Sequence, residues 1–292
     1  MNPHTRFHVT PHQPFGLLIG PAFSGQTVEQ LPVSELRALA REHHLLVLRG
    51  FAPTFRDSPS LTRYARQWGE IKMWPFGAVL DVREHHDATD HIFDHSGVPL
   101  HWDGMYKPTI PEFQLFNCLH APAENEGGCT TFLNTRALLA DVPPAILELW
   151  KTVRVTYRIQ KVVHYGGEVC SPLLVADPRD GQWVLRYNEP AEKDKRFLNR
   201  HALEYHGLAP EQVEAFEQDL HRRLHDPRFF YAHTWQPNDV VIADNFSLLH
   251  GREAFTARSA RHLQRVHIHG SPVCHNTALA HAGDGLPIAT QG

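Results

Sequence analysis

Short apolar runs and alternating apolar and polar stretches dominate the centre and the end of the chain. Runs of this length that are bounded by turn residues are typical of buried or half-buried strands. The Asp-Pro-Arg-Asp-Gly turn at 177–181 further predicts a hairpin. The predicted strands are 45–51, 112–122, 153–159, the hairpin 171–188, 229–235, 239–244 and 262–270.

Apolar residues recur at helical spacing in segments that lie between these strands. Ser34 and Ser58 are suited to cap the first two helices, and Pro59 fits the first turn of the second. The Val-Pro-Pro break at 142–144 divides the third segment into two helices, because proline is poorly tolerated inside a helix. The predicted helical segments are 34–44, 58–70, 134–152 and 208–226.

The order of these elements predicts the fold class. Strands in the centre and at the end, with helices in insertions, are typical of a mainly β fold in which a double-stranded β-helix (a cupin-like jelly roll) carries helical insertions. We expect a single jelly-roll domain over 15–270, an N-terminal arm over 1–14 and a C-terminal tail over 271–292.

The composition argues against several classes of protein. The chain has 292 residues, of which 42% are hydrophobic and 21% charged, and its formal net charge is −4. It therefore lacks the global basic field that holds nucleic acid or acidic lipid, and no apolar run approaches the ~18 residues of a membrane span. None of the four cysteines forms a Cys-x-x-Cys pair. We expect a soluble cytoplasmic protein whose partner is a small molecule, with no nucleic acid and no membrane.

His101-Trp102-Asp103 is the first candidate for chemistry. In an extended segment, residues two apart point to the same side, so the imidazole and the carboxylate face one point. His250 is the candidate third ligand, placed in a loop after the strand that ends at Asp244. Two histidines and one carboxylate form a facial triad, which leaves open positions on iron(II).

The triplet alone is a weak signal, because histidine is abundant in this chain. With 23 His and 15 Asp in 292 residues, chance predicts about one His-x-Asp triplet. A second triplet does occur, at His85-His86-Asp87. Triplet counting alone does not separate the two.

Several spaced features together are more specific. Thr130 follows Asp103 by 27 residues, while Arg261 and Arg265 follow His250 by 11 and 15 residues. This order resembles the TauD/TfdA family of iron(II)- and 2-oxoglutarate-dependent dioxygenases. The matching residues are His101, Asp103, Gly127-Gly128-Cys129-Thr130, Asp244-Asn245, His250, Arg261 and Arg265. The triplet His85-His86-Asp87 has no Gly-Gly-x-Thr segment at the family's spacing, so we expect it to be a loop.

The resemblance implies a cofactor, two cosubstrates and a role for each matching residue. It implies that His101, Asp103 and His250 bind Fe(II), that 2-oxoglutarate and O₂ are the cosubstrates, and that Arg261 and Thr130 bind 2-oxoglutarate. An Arg fork is well suited to the far carboxylate, and a Thr hydroxyl adds a donor.

Three short strings are similar to one subgroup of that family, the PvcB-like enzymes of isonitrile biosynthesis. The strings are His101-Trp102-Asp103-Gly104-Met105-Tyr106, Phe116-Asn117-Cys118-Leu119-His120-Ala121-Pro122 and Arg186-Tyr187-Asn188-Glu189-Pro190. The similarity implies oxidative decarboxylation and desaturation of an isonitrile derived from an amino acid, such as tyrosine isonitrile, to a vinyl isonitrile in secondary metabolism.

The substrate end is predicted from charge and aromatic content. Arg265, four residues beyond Arg261 on the same strand face, is the candidate anchor for a substrate carboxylate. Weaker candidates for binding the substrate are Lys161, His164 and Arg186. An aromatic wall is expected from Trp74, Phe76, Tyr106 and Trp183, among which Tyr106 is favoured because it lies three residues beyond a predicted metal ligand.

Other functions remain open at this point. The same site serves a hydroxylase of an amino acid or small carboxylate, which differs only in the fate of the oxidised carbon. A jelly-roll binding protein without turnover does not need the full triad and Arg261. A zinc hydrolase also uses two His and a carboxylate, but leaves the predicted pairing of Arg261 with Thr130 unexplained. The family resemblance is compatible with a homodimer.

Overall fold

The computed structural model describes residues 6–161, 165–192, 195 and 197–279. Over these residues the chain forms strands throughout and helices in the connections. The strands are β1 (Phe7–Pro11), β2 (Leu17–Pro21), β3 (Leu45–Leu48), β4 (Leu80–Arg83), β5 (Val98–His101), β6 (Thr109–Ile110), β7 (Phe113–His120), β8 (Thr130–Asn134), β9 (Arg154–Ile159), β10 (Gly167–Pro172), β11 (Leu174–Ala176), β12 (Trp183–Leu185), β13 (Ala202–His206), β14 (Phe230–His233), β15 (Val240–Asp244), β16 (Leu248–Arg252), β17 (His262–Ile268) and β18 (Cys274–His275). The helices are α1 (Val33–His43), α2 (Ser58–Trp68), α3 (Thr135–Asp141), α4 (Pro144–Thr152) and α5 (Pro210–Leu224).

Two sheets face each other and form the barrel. The larger has seven strands in the order β1-β2-β3-β15-β7-β17-β4, and the smaller has four in the order β14-β8-β16-β5. Phe116 and Leu263 of the larger sheet pack in one buried cluster with Phe132 and Leu248 of the smaller sheet. Because side chains alternate along a strand, this packing leaves the opposite face of the larger sheet to be covered by other elements.

Helices cover the remaining apolar surfaces. Leu36 of α1 and Leu61 and Trp68 of α2 are fully buried in one cluster with Phe113 of the larger sheet. Helices α3, α4 and α5 bury a separate cluster against the small sheet β10-β9-β13 and neighbouring loops. The predicted fold class, mainly β with helical insertions, is confirmed.

Most predicted elements are present with shorter bounds. The break at 142–144 separates α3 from α4, and the predicted hairpin is present as the pair β11-β12. The hairpin prediction was too long, since β10 pairs with β9 instead. The strands that sequence reasoning missed are β1, β2, β4, β5, β6, β8, β10, β13, β16 and β18.

The loop predicted around His250 was wrong. This residue lies within β16, which pairs with β8 on one side and β5 on the other. All five residues of β16 are buried, so the strand shows no alternation of apolar and polar positions. Tertiary pairing rather than a local pattern creates this strand.

The two ends of the predicted domain carry paired strands. Strand β1, within the predicted N-terminal arm, is an edge strand of the larger sheet, and β18, within the predicted tail, pairs with β6. The domain limits 1–14, 15–270 and 271–292 stay a prediction. None of the described helices has both the length and the apolar character needed to cross a membrane.

Candidate active site

Three predicted metal ligands converge at the edge of the smaller sheet. His101 ends β5 and lies directly opposite His250 of β16 in the strand register, which brings their ring centroids within 4.2 Å. Asp103 lies in the turn after β5, where its Oδ1 is 3.9 Å from Nε2 of His101 and its Oδ2 is 3.6 Å from Nε2 of His250. One ligand atom from each of the three lies within 4.8 Å of the other two.

Asp103 is held by its backbone and by one of its carboxylate oxygens. Its backbone N–H donates to Oδ1 of Asn245 at 2.9 Å, while Nδ2 of Asn245 donates to the Asp103 carbonyl at 3.0 Å. Oδ2 accepts from Gln114 at 2.6 Å, from His267 at 2.7 Å and from Arg265 at 3.1 Å. These contacts leave Oδ1 of Asp103 free to bind a metal ion.

The charges of the three groups suit a divalent cation. Burial acts to raise the pKa of Asp103, but Arg265, His267 and His250 together bring that pKa well below its usual range. Burial lowers the pKa of His101, and it lowers the pKa of His250 still further. The site therefore presents one carboxylate and two neutral imidazoles, as metal binding requires.

The tautomer of His101 is set by the backbone. Its Nδ1 lies 2.9 Å from the carbonyl oxygen of Pro99 and donates to it, which directs the lone pair of Nε2 towards Asp103. The ring is partly exposed, at 23%, whereas His250 is only 6% exposed. His101 therefore lies on the side of the site that is open to the cavity.

Arg261 is a buried cation beside this cavity. Its Nε donates to the carbonyl of Gly128 at 2.9 Å, and its Nη2 lies 3.4 Å from the hydroxyl of Thr130. No carboxylate among the described residues pairs with it, and burial lowers its pKa to about 10. It remains charged at neutral pH and can bind an anion.

The Gly127-Gly128 motif has a local steric cause. Both glycines adopt left-handed backbone conformations, with φ of +73° and +80°, which other residues rarely adopt. A Cβ on Gly128 would lie 2.9 Å from Cδ of Arg261. The motif thus turns the chain into β8 and allows the arginine to pack against the backbone.

A cavity extends from the three ligands towards the opposite loops. Arg265 and Tyr106, both predicted to bind substrate, line it together with Trp74 of the predicted aromatic wall. The Tyr106 hydroxyl lies 2.9 Å from Nδ1 of His201, and their rings stack at 5.8 Å. His201 was missed because it comes from a loop about a hundred residues away in sequence.

Lys72 is a second cation that sequence reasoning missed. It lines the cavity, and its ammonium donates to the carbonyl of Thr109 and to its hydroxyl, the latter at 2.9 Å. Burial, together with the positive charge of Lys107, lowers its pKa to about 8. No motif surrounds Lys72, so only the fold reveals it.

The structure does not bring the other predicted substrate residues to the cavity wall. Arg186 is buried behind Trp102, stacks over its ring at 5.0 Å and donates to the carbonyl of Asn245. Lys161 is exposed, and His164 lies outside the described residues.

The predicted aromatic wall is correct only in part. Phe76 and Trp183 are exposed, at 50% and 43%, and neither lines the cavity. The segment His85-His86-Asp87 is a loop, as predicted, and the side chains of His86 and Asp87 are almost fully exposed. Spacing to a downstream motif was therefore a better guide than the triplet itself.

Comparison with known proteins places these residues in context. The model of the "taurine catabolism dioxygenase TauD, TfdA family" matches residues 8–267. Over 266 residues, covering 91% of each chain, this protein is 48% identical to the tyrosine isonitrile desaturase of Pseudomonas aeruginosa. It is 39% identical to the 3-((Z)-2-isocyanoethenyl)-1H-indole synthase of Fischerella ambigua over 263 residues, 90% of this chain and 96% of that relative.

A solved structure also resembles this protein in fold. A solved structure of PvcB, described as an Fe, alpha-ketoglutarate dependent oxygenase from an isonitrile synthetic pathway, superposes with a TM-score of 0.80 and 43% identity. The match covers 94% of this chain and 96% of that one. The predicted jelly roll is confirmed by this likeness.

Proposed function

This chain belongs to the TauD/TfdA family of iron(II)- and 2-oxoglutarate-dependent dioxygenases, and we propose that it oxidises tyrosine isonitrile to a vinyl isonitrile. The observation that carries the proposal is 48% identity, over 91% of the chain, to a tyrosine isonitrile desaturase. The relative from Fischerella ambigua is named for an isocyanoethenyl product, which is a vinyl isonitrile.

In this proposal His101, Asp103 and His250 bind Fe(II). Two imidazoles and a carboxylate whose ligand atoms converge within 4.8 Å suit that ion, and they leave further positions open. When bound, iron with O₂ and 2-oxoglutarate supplies the oxidant, and the products are succinate and carbon dioxide. The protein orients the substrate beside this site and excludes water.

Arg261 and Thr130 bind the far carboxylate of 2-oxoglutarate in the same proposal. The buried guanidinium has no acidic partner among the described residues, so a dicarboxylate supplies the missing charge. Arg gives this anion two parallel donors, while the Thr130 hydroxyl gives a third.

Arg265 and Lys72 provide the positive charge for the substrate acid. Both line the cavity next to the metal ligands, and a carboxylate taken from water needs fixed cations of this kind. Tyr106 and His201 form the polar and aromatic surface against which the phenol ring lies. We do not assign a substrate role to Arg186 or Lys161, because neither lines the cavity.

The test is turnover by the complete enzyme with Fe(II), 2-oxoglutarate and O₂. One tyrosine isonitrile, one 2-oxoglutarate and one O₂ should give the vinyl isonitrile, succinate, two carbon dioxide and one water. The product should have lost carbon dioxide and two hydrogen atoms relative to the substrate. Mass spectrometry of the product and assay of succinate measure this balance.

Other products would correct the proposal in defined ways. A gain of one oxygen atom would identify the hydroxylase alternative, and loss of two hydrogens alone would retain desaturation but exclude decarboxylation. Faster turnover of the indole isonitrile derived from tryptophan would identify that compound, rather than tyrosine isonitrile, as the substrate. Binding of tyrosine isonitrile without succinate release would contradict enzymatic function.

The anchor for the substrate acid is tested with a neutral amide. Arg265→Ala should lower kcat/KM for the acid and leave 2-oxoglutarate affinity nearly unchanged. Arg265 also contacts Asp103, so the diagnostic result is a reduced preference for the acid over its amide, which a purely structural role would not change. An unchanged preference would contradict the anchor.

The location and assembly of the protein are also proposals. We propose a cytoplasmic enzyme that forms a homodimer and binds neither nucleic acid nor a membrane. Light scattering of the purified protein tests the dimer, since a single species with the mass of one chain would contradict it.

A further inference from the structure

A second cluster of metal-binding groups contains none of the three proposed iron ligands, and one of its residues, Glu189, also lines the cavity. It consists of Glu189, in the segment after β12, and two histidines at the end of helix α5, His221 and His225. One ligand atom of each residue lies within 4.8 Å of the other two, the same criterion that the iron triad meets. Two such clusters occur among the residues that the structure describes.

The helix presents the two imidazoles side by side. His221 and His225 are four residues apart, a spacing that places side chains on the same face of a helix. Their ring centroids are 4.5 Å apart. Both rings point at one oxygen: Oε1 of Glu189 lies 2.6 Å from Nδ1 of His221 and 2.9 Å from Nε2 of His225.

Exposure to solvent increases across the cluster from the carboxylate to the two imidazoles. The Glu189 side chain is only 8% exposed, whereas His225 is 40% and His221 60% exposed. The carboxylate therefore forms the floor, and the two rings form a rim through which an ion and its water ligands can enter. The carboxylate is ionised, because hydrogen bonds and charge from His225 and His221 outweigh burial and lower the pKa of Glu189.

We propose that Glu189, His221 and His225 form a second metal site, separate from the iron, that binds a divalent ion of the zinc type. Imidazole and carboxylate are ligands that zinc accepts, and three protein ligands with an open fourth position make a complete site. Binding needs these contacts to lengthen by about 0.4–0.7 Å, since hydrogen-bond contacts of 2.6 and 2.9 Å must open to ligand–ligand separations of roughly 3.3 Å around one ion. The ring nitrogens must give up any proton they share with Glu189, so binding releases protons and weakens in acid.

The site is connected to the cavity through Glu189. Its backbone N–H donates to the carbonyl of Leu100 at 2.8 Å, and its Oε2 accepts from the backbone nitrogen of Leu100 at 3.4 Å. Leu100 precedes the metal ligand His101, and Glu189 itself lines the cavity. An ion at this site would tie the end of α5 to the segment that supports β5.

The test counts zinc ions bound to the metal-free full-length protein. Calorimetric titration of wild type should give two ions per chain, one at the iron triad and one at the second site. His221→Ala should retain one ion at high affinity and weaken the other at least about 10-fold, the lower end of the loss that perturbing a metal site produces. His225→Ala should do the same, and serves if the first variant is poorly folded by circular dichroism.

The matched control is His86→Ala. His86 is also an exposed histidine hydrogen-bonded to a carboxylate, at 2.9 Å from Asp87, but it belongs to neither three-residue cluster. This variant should bind two ions like wild type. One ion in wild type, or two tight ions in both variants of the second site, would overturn the proposal. The readout is binding and not turnover, so it is independent of the substrate proposed above.

Discussion

The two walls of the cavity are built in different ways. The wall that carries His101 and His250 consists of strands paired in register, with Arg261 entering from the start of β17. The opposite wall takes Tyr106, Lys72 and His201 from loops that are far apart in the chain. In the function proposed above, the strand wall binds the metal ion and the cosubstrate that the family shares, and the loop wall contacts the substrate.

The strand wall should not tolerate loss of a metal ligand. His250→Ala removes one of the three proposed metal ligands, so we expect turnover to fall below detection in an assay of succinate release. Asp87→Asn, in the exposed second His-x-Asp triplet, is the matched control and should leave turnover unchanged. Substantial activity in His250→Ala would break the distinction between the two triplets.

Arg261 should have the next largest effect, confined to the cosubstrate. Arg261→Ala removes the protein's side of the buried charge pair proposed with 2-oxoglutarate, so binding of that cosubstrate should weaken by about 2–5 kcal/mol. Calorimetry of the Fe(II)-loaded protein without oxygen measures this loss. Arg261→Lys keeps the charge but not the paired donors and should be intermediate. Unchanged affinity in Arg261→Ala would exclude the residue from the cosubstrate site.

Lys72 should make the loop wall sensitive to pH. Its ammonium loses a proton as the pH rises through about 8, so the positive charge is present below that value and lost above it. Above that pH, we expect kcat/KM for the acid substrate to fall to a lower plateau. The fall should correspond to a loss of about 1.5–3 kcal/mol in transition-state stabilisation, the range for a hydrogen bond to a charged group.

The control for this pH effect is a lysine that does not line the cavity. Lys72→Met should abolish the fall above pH 8, whereas Lys161→Met, at an exposed position, should retain it. A pH profile that is the same in Lys72→Met and wild type would show that another group titrates and that the loop wall does not bind the acid through Lys72.

Tyr106 should have the smallest effect. Tyr106→Phe keeps the ring that stacks on His201 but removes the hydroxyl 2.9 Å from its Nδ1. We expect a loss of about 0.5–1.5 kcal/mol in kcat/KM for tyrosine isonitrile, the usual contribution of one hydrogen bond. 2-Oxoglutarate affinity should not change, because that molecule is proposed to bind at the strand wall. A measurable change in 2-oxoglutarate affinity would mean that the two walls are not independent.

Sequence reasoning succeeded where chemistry is encoded by short spacing. The triplet His101-Trp102-Asp103 brings two groups to one point through local backbone geometry alone. The glycines before Thr130 reflect a steric need at the next strand. It failed for Phe76, Trp183, Arg186 and Lys161, which were chosen by residue type, because composition cannot tell which face of a strand or loop borders the cavity.

Long-range groups around Asp103 were also missed. Gln114, His267 and Asn245 hydrogen-bond to this residue from strands β7 and β17 and from the loop after β15. Asn245 was noticed only as part of a family pattern, and no pattern pointed to the other two. Their proximity depends on the register of β7 against β17, where Gln114 pairs with His267.

The sequence by itself indicated the class of fold, the family and the three proposed metal ligands, because periodicity, spacing and motif order can be read without tertiary contacts. Only the tertiary structure decided that His250 lies in a strand, that Lys72 and His201 complete the cavity, and that Glu189 meets two histidines of α5. Each of these results depends on contacts between residues distant in the chain. Such contacts arise from burying apolar faces and pairing strands, which the local sequence does not specify.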